Sequence, residues 1–206
     1  MKENFFTIKE KSKGLFKDKG SKFLAFAFPV QSADQVRSHL QELKSKYHDA
    51  RHHCYAYVLG PQGQEFRSND DGEPNHTAGD IILGAIRSKN LTNVLVIVVR
   101  YFGGTKLGKR GLINAYRFSS EAALDGSIII EVEILIEISI TFPYSGTSEV
   151  MYQLNKAGVI IYEQEYKEIC TIRFGVKIKN KQELADKLRR LQEKKIIHSI
   201  EITSGQ

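Results

Sequence analysis

The pattern of apolar and polar positions in the first quarter of the chain predicts three strands followed by a helix. Phe5 to Lys17 has the pattern of two short strands, and the aromatic-rich segment Ser21 to Pro29 predicts a third. Ser32 and Gln35 have the spacing of a capping box, and an apolar stripe at helical spacing follows them. The residues of that stripe are Val36, Leu40, Leu43 and Tyr47.

The middle of the chain predicts a hairpin, a helix and one fully buried strand. Cys54 to Leu59 and Glu65 to Asn69 flank a Gly-Pro-Gln-Gly turn, which is a hairpin signal. Thr77 is expected to cap the next helix, which has alanine and isoleucine on one face. The unbroken apolar run from Val94 to Val99 is typical of a central strand covered on both faces. A glycine-rich loop then leads into a helix ending at Asp125-Gly126.

The second half of the chain opens with a long alternation of apolar and polar residues. From Ile130 to Ile140 this alternation predicts one strand that connects two domains. A helix stopped by Gly158 follows, then two strands, a leucine-rich helix and a last strand from Ile196 to Ile202. This β-α-β-β-α-β order is ferredoxin-like. The sequence therefore predicts an α+β protein of two domains, residues 1–135 and 136–206.

The composition of the 206 residues fits a protein that folds without disulfides or structural metals, because 41% apolar content can form a core. No apolar stretch approaches a membrane span and the first residues are polar, so we expect a cytosolic protein without a membrane partner. Cys54 and Cys170 lie in apolar runs, which indicates buried reduced thiols; a catalytic thiol is the alternative. The net charge of +6 favours anionic partners such as RNA without requiring one.

Three polar segments interrupt the first half of the chain, each at a strand end or a helix start. They are Arg51 to Tyr55, Ser68 to Thr77, and Arg100 to Gly111. Their density of histidine, acidic, glycine and basic residues indicates a functional site, with turn formation and helix capping as the alternative. The first two segments contribute a candidate functional cluster. Its residues are Arg51, His52, His53, Asn69, Asp70, Asp71, Glu73, His76 and Thr77.

The third segment nearly matches a phosphate-binding loop. From Gly103 to Arg110 it follows the pattern G-x-x-x-x-G-K-[ST], after a strand and before a helix. Arg110 stands where a serine or threonine would ligate Mg²⁺, so triphosphate hydrolysis is not predicted. A glycine-rich turn at a helix N-terminus still offers backbone N–H donors to a phosphodiester. The candidate nucleic-acid or anion-binding residues are Arg100, Tyr101, Gly103, Gly104, Lys106, Lys109 and Arg110.

The second segment allows a metal site as an alternative, because carboxylates and histidine are ligand types. Their spacing matches no zinc or EF-hand pattern, and a tight turn at Asp71-Gly72 before a helix cap explains most of these residues. His52 and His53 alternate on a strand, so one is expected at the core edge and the other toward the loops. No nucleophile with an adjacent base is visible. The sequence therefore predicts no catalytic residue, no metal and no cofactor.

Together these segments resemble the signature of the IMPACT/YigZ family. The matching stretches are Lys17 to Phe23, Ala50 to Tyr57, Asn69 to Pro74, Thr77 to Gly79 and Val98 to Gly108. The resemblance implies a first domain with the fold of ribosomal protein S5 domain 2, and a smaller second domain like the last domain of elongation factor G. The chain departs from the common family pattern at Asn75-His76, Lys109-Arg110 and Asn114. The near match to a phosphate loop therefore arises partly from residues particular to this chain.

The resemblance also implies a role in translation. Eukaryotic members are translational regulators that compete for a scaffold of an amino-acid-starvation kinase, whereas bacterial members have no settled biochemical role. We therefore expect a translation-associated protein that contacts RNA or the ribosome through the first-domain loops. Two alternatives stay open. One is a module that sequesters a protein partner in stress or translation control, and the other is an enzyme acting on a small phosphorylated substrate.

Overall fold

The computed structural model describes residues 2–203, so the outermost ends of the two predicted domains lie outside the described residues. The chain forms two compact units. The first runs from Phe5 to Val132, and the second begins at Glu133 and also includes the short segment before Phe5. Each unit mixes helices and strands. The prediction of an α+β protein of two domains is therefore confirmed.

The first unit is built on a five-stranded antiparallel sheet. Up to Glu133 the elements are β1 (Asn4–Ile8), β2 (Ser12–Asp18), β3 (Ser21–Pro29), α1 (Ala33–Lys46), β4 (His52–Leu59), β5 (Glu65–Asn69), α2 (Gly79–Ser88), β6 (Val94–Tyr101), α3 (Gly108–Asp125) and β7 (Ile129–Glu133). The strand order in the sheet is β2-β3-β6-β4-β5, and strands β1 and β7 pair separately.

Strand β6 lies in the middle of this sheet, and its residues from Val94 to Arg100 are all buried. Val94, Val96 and Val98 belong to the apolar cluster that includes residues of α2 and α3. The alternate positions, among them Leu95, belong to the cluster that includes residues of α1. A β-branched run covered on both faces is what the sequence predicts, and the structure confirms it.

The start of α2 differs from its prediction. Thr77 does not cap this helix: its hydroxyl donates to the Pro74 carbonyl at 2.6 Å, and the helix begins two residues later. The cap comes instead from Asp70, whose Oδ1 accepts the backbone N–H groups of Ala78 and Gly79 at 3.0 and 2.8 Å. A carboxylate at a helix N-terminus satisfies donors that have no partner inside the helix.

The second unit forms a four-stranded antiparallel sheet, and its elements have the predicted β-α-β-β-α-β order. The elements are β8 (Leu135–Pro143), α4 (Thr147–Ala157), β9 (Ile160–Glu165), β10 (Ile169–Lys177), α5 (Ile178–Glu193) and β11 (Ser199–Thr203), with a short 3-10 helix (Tyr144–Gly146) before α4. The strand order in the sheet is β11-β8-β10-β9. The apolar core lies between one face of that sheet and the two helices, around residues such as Phe142, Leu154 and Phe174.

The single long strand predicted from Ile130 to Ile140 is wrong. The segment forms two strands, β7 and β8, interrupted at Ile134. Strand β7 pairs with β1, whereas β8 pairs with β10 and β11. The alternation of apolar residues continues through the interruption, so the pattern records burial without recording the change of pairing partner.

Candidate functional site

Residues of all three polar segments line one pocket of about 540 Å³ in the first unit. That volume is in the range of small-molecule sites in proteins. The first segment contributes Arg51 and His52, and the second contributes Gly72, Glu73 and Pro74. The third segment and the helix after it contribute Arg100, Phe102, Lys106, Leu107, Gly108, Lys109 and Leu112.

The register of the sheet brings the first and third segments together, because His52 on β4 lies opposite Arg100 on β6. The second segment is held beside β4 by Asp71. Its Oδ2 accepts the backbone N–H of His53 at 2.6 Å, and its carbonyl oxygen lies 2.7 Å from His52 Nδ1. A carbonyl oxygen only accepts, so Nδ1 of His52 carries a hydrogen. The other ring nitrogen, Nε2, lies 4.0 Å from Glu73 Oε1.

The acidic loop before α2 is shaped by its own side chains. Asp71 and Gly72 both have left-handed backbone angles, with φ of 42° and 85°, which confirms the predicted tight turn. The Asn69 side chain accepts the N–H of Asp71 at 2.7 Å, and Asp70 Oδ2 accepts the N–H of His76 at 3.0 Å. These polar residues therefore build the loop that presents Glu73 to the pocket.

A buried ion pair forms part of the pocket wall. Arg100 Nη1 donates to Glu73 Oε1 at 2.5 Å, and the two side chains are 7% and 3% exposed. The Arg100 guanidinium carbon lies 5.3 and 5.8 Å from the ring centroids of Phe23 and Phe102. Charge pairing and cation–π contacts together fix the position of this guanidinium.

Tyr116 on α3 is a member of this site that the sequence reasoning missed. It is fully buried, and its hydroxyl donates to Glu73 Oε1 at 2.8 Å. Cys54 Sγ lies 3.2 Å from the same hydroxyl. A buried tyrosine usually needs a hydrogen-bond partner for its hydroxyl. Its position on the helix face toward the sheet is the feature of the sequence that could have indicated Tyr116.

The two buried protic groups stay protonated. Burial raises the pKa of the Cys54 thiol, and burial also raises the pKa of Tyr116 well above its usual value, with Cys54 and Glu73 adding to the effect. Because the thiolate is the reactive form of cysteine, this environment argues against a nucleophilic Cys54. Both cysteines, Cys54 and Cys170, are buried and free, as the sequence predicts.

The pocket carries an excess of positive charge. Arg51, Arg100, Lys106 and Lys109 line it together with one acid, Glu73, so four positive charges less one leave three when His52 is not counted. The first residues of α3 also line the pocket. Within residues 2–203 this helix has no side-chain cap and no acid in its first turn. The positive end of this helix and its first N–H groups, which have no acceptor inside the helix, therefore add to the potential of the basic side chains.

The remaining predicted residues do not line this pocket. Tyr101 follows Arg100 on β6 but points to the opposite face, where its hydroxyl donates to Asp49 at 2.8 Å. Gly103 supports the loop, since its N–H donates to Ser21 at 3.1 Å and a Cβ there would lie 2.0 Å from the Gly20 carbonyl carbon. The predicted residues outside the lining are His53, Asn69, Asp70, Asp71, His76, Thr77, Tyr101, Gly103, Gly104 and Arg110.

The two histidines of the first segment face opposite sides of the sheet. His52 lines the pocket, and His53 is buried. Burial lowers the pKa of His53, against an opposing effect of the Asp71 carboxylate. His76 is exposed, and its Nδ1 lies 2.5 Å from Asp80 Oδ2, a contact that raises the pKa of His76.

The structure offers no grouping of histidine, cysteine and acidic side chains for a metal ion within the residues it describes. Asp70 and Asp71, two of the acids considered as ligands, accept hydrogen bonds from backbone N–H groups instead. Among the helices of residues 2–203, none has the length and apolar character to cross a membrane.

Fold and site define a two-domain α+β protein with a basic pocket in its first domain. A family model for the Impact N-terminal domain matches residues 19–124. The chain is 30% identical over 168 residues to the IMPACT family member YvyE of Bacillus subtilis, covering 82% of this chain and 77% of that protein. It is 27% identical over 172 residues to the IMPACT family member YigZ of Escherichia coli, covering 82% and 84%.

The chain therefore belongs to the IMPACT family, which confirms the resemblance seen in the sequence. A crystal structure of a hypothetical protein is also similar, with a TM-score of 0.74. The similarity covers 99% of this chain and 98% of that protein at 24% sequence identity. At that identity the likeness shows the shared fold alone.

Proposed function

We propose that this protein is a translation-associated regulatory protein that contacts RNA or the ribosome through the pocket of its first domain. The observation that carries the proposal is the excess of positive charge where the three polar segments meet at the start of α3. Phosphate groups are the anions that such a combination of helix end and lysines suits best.

The family and the topology of the chain also support a role in translation. The resemblance to the IMPACT/YigZ family implies translational regulation, which we extend to this chain as part of the proposal. The strand order and β-α-β-β-α-β sequence of the second unit suit a ferredoxin-like domain similar to the last domain of elongation factor G. We further propose that the first unit has the fold of ribosomal protein S5 domain 2. Both of these domain types occur in the translation machinery.

Lys106 and Lys109 are exposed and line the pocket, so they are the residues to change first. Replacing both by alanine should weaken binding to ribosomal RNA fragments and flatten its dependence on salt. Each phosphate neutralised by a lysine contributes about 0.7 to the slope of log K against log salt for single strands, so the slope should fall by about 1.4. Filter binding or fluorescence anisotropy at four or more salt concentrations measures this slope.

The matched control removes two positive charges elsewhere on the same unit. Lys9 and Lys46 are exposed and do not line the pocket. The Lys9→Ala, Lys46→Ala variant has the same net charge as the pocket variant, and it should keep the wild-type slope. An equal loss of slope in both variants would mean that RNA responds only to net charge, and the pocket would have no special role.

A further inference from the structure

Besides the start of α3, the pocket is lined by Arg100 of β6, which is only 6% exposed. One of its nitrogens pairs with Glu73, but its Nε is buried and has no hydrogen-bond partner within residues 2–203. A guanidinium has five N–H donors, and an unused buried donor is costly. Arg100 therefore places a charged side chain with an unused donor in the wall of the pocket, beside three further basic side chains.

The pocket also has an apolar side. Phe102 lines it and remains 44% exposed, while Pro74 and Leu107 contribute further carbon surface. An exposed aromatic ring beside a basic groove is the arrangement by which proteins hold unpaired nucleobases without reading their sequence. The ring is steadied by the Arg100 guanidinium 5.8 Å from its centroid.

Size and charge select the form of ligand. A pocket of about 540 Å³ is suited to one nucleotide and is too small for a duplex. A terminal phosphate carries a charge between about −1.5 and −2 at neutral pH, because its second pKa is near 6, whereas a phosphodiester carries one negative charge. Three net positive charges around the pocket favour the more highly charged group.

We propose that the pocket holds one unpaired nucleotide at a phosphorylated RNA end, with its terminal phosphate at the start of α3 and its base against Phe102. This inference rests on the proposed function, because it specifies which part of an RNA the pocket binds. The phosphate contacts would come from Lys106, Lys109 and the first N–H groups of α3. The base contact is separate from these, so the two parts can be tested independently.

The first test compares single-stranded RNA oligonucleotides of one sequence by fluorescence anisotropy. The ends compared are a 5′-phosphate, a 3′-phosphate and hydroxyls at both ends. We expect one phosphorylated end to bind about 10-fold more tightly than the hydroxyl form, the factor that one additional charge-assisted contact supplies. In the Lys106→Ala, Lys109→Ala variant this preference should disappear. The Lys9→Ala, Lys46→Ala variant should retain it.

The second test uses Phe102→Ala, a change at an exposed position. We expect roughly 5- to 150-fold weaker binding of the phosphorylated oligonucleotide, which is the effect of removing one stacked base. Binding of inorganic phosphate should be unchanged, because phosphate has no base to stack. Equal losses for inorganic phosphate and oligonucleotide would overturn the assignment of Phe102 to the base.

Binding of uridine monophosphate distinguishes between two possible ligands of the pocket, a free nucleotide and an RNA end. Weaker binding of the mononucleotide than of the phosphorylated oligonucleotide supports an RNA end as the ligand. Tighter binding of the mononucleotide would overturn that assignment in favour of a free nucleotide. If RNA binding depends on the pocket lysines but phosphorylated and hydroxyl ends bind equally, the end-binding inference fails while the proposed function stands. If no RNA binds in a lysine-dependent manner, both fail.

Discussion

Replacing Glu73 by glutamine tests how the buried pair supports the pocket. The glutamine keeps the shape of the side chain and an oxygen that can accept from Tyr116, but it removes the charge opposite Arg100. The arginine would then be a buried cation without a counter-charge. Such a loss destabilises proteins by about 3–5 kcal/mol, far more than the 0–1 kcal/mol of an exposed pair.

The upper part of that range applies here because both partners are almost fully buried, with side-chain exposures of 7% for Arg100 and 3% for Glu73. Arg100→Met should cost a similar amount, since it leaves Glu73 buried without its cation. The double variant, Glu73→Gln with Arg100→Met, has no buried charge. We expect it to lose only about 1–3 kcal/mol, the cost of a buried amide NH₂ group left without an acceptor.

Native-state hydrogen exchange at increasing urea measures the free energy of unfolding of the first unit alone. Peptides covering β6 report the unfolding free energy of the sheet that carries Arg100. The two single losses, about 4–5 kcal/mol each, should sum to roughly 8–10 kcal/mol, well above the loss of the double variant. Losses that simply add in the double variant, or a loss below about 1 kcal/mol for Glu73→Gln, would refute the view that this pair is energetically coupled.

Two further changes test the scaffold. Burial lowers the pKa of His53 in the folded protein below the value near 6.5 that it has in the unfolded chain. Between the folded and unfolded pKa values only the unfolded chain binds the proton, so stability should fall as the pH drops through 6.5. His53→Gln should reduce this loss between pH 8 and pH 5.5 in the same exchange measurement, and an unchanged pH dependence would contradict the assignment. Asp70→Ala should destabilise the first unit by about 1–3 kcal/mol, because three backbone N–H groups lose their acceptor. The surface control Asp34→Ala should change its stability by less than about 1 kcal/mol, and equal effects would count against the cap.

The parts of the fold predicted correctly are those where burial alone leaves a trace in the sequence. The apolar run of β6 is buried on both faces, and Gly158 ends α4 with a left-handed φ of 62°, as expected for a glycine at that position. The parts predicted wrongly depend on partners distant in the chain. Asp70 caps a helix from eight or nine residues away, and the break at Ile134 marks a change of pairing strand that leaves the alternation intact.

The candidate site likewise has parts that the sequence indicates locally and parts that depend on distant partners. The three polar segments could be recognised individually, but the register that sets His52 opposite Arg100 is a property of the assembled sheet. The bond between Tyr116 and Glu73 joins residues 43 positions apart, and no local pattern encodes it. The sequence could have predicted that Tyr101 and Arg100 do not both face the pocket, because neighbouring side chains alternate between the two faces of a strand.

Charge in the pocket is divided between residues with different tasks. Arg100 and Glu73 are buried and fix each other, with Tyr116 and the aromatic rings holding them in place, so their energy contributes to folding. Lys109 lies in the first turn of α3 and Lys106 just before it; both are exposed, and that first turn contains no acidic residue. Glu73 offsets the charge of Arg100, so under the proposed function the buried pair shapes the pocket wall and the two lysines supply the affinity for an anion. If the pocket binds an anion as proposed, binding and stability should therefore be separable, since the anion would gain most from the residues on which the fold depends least.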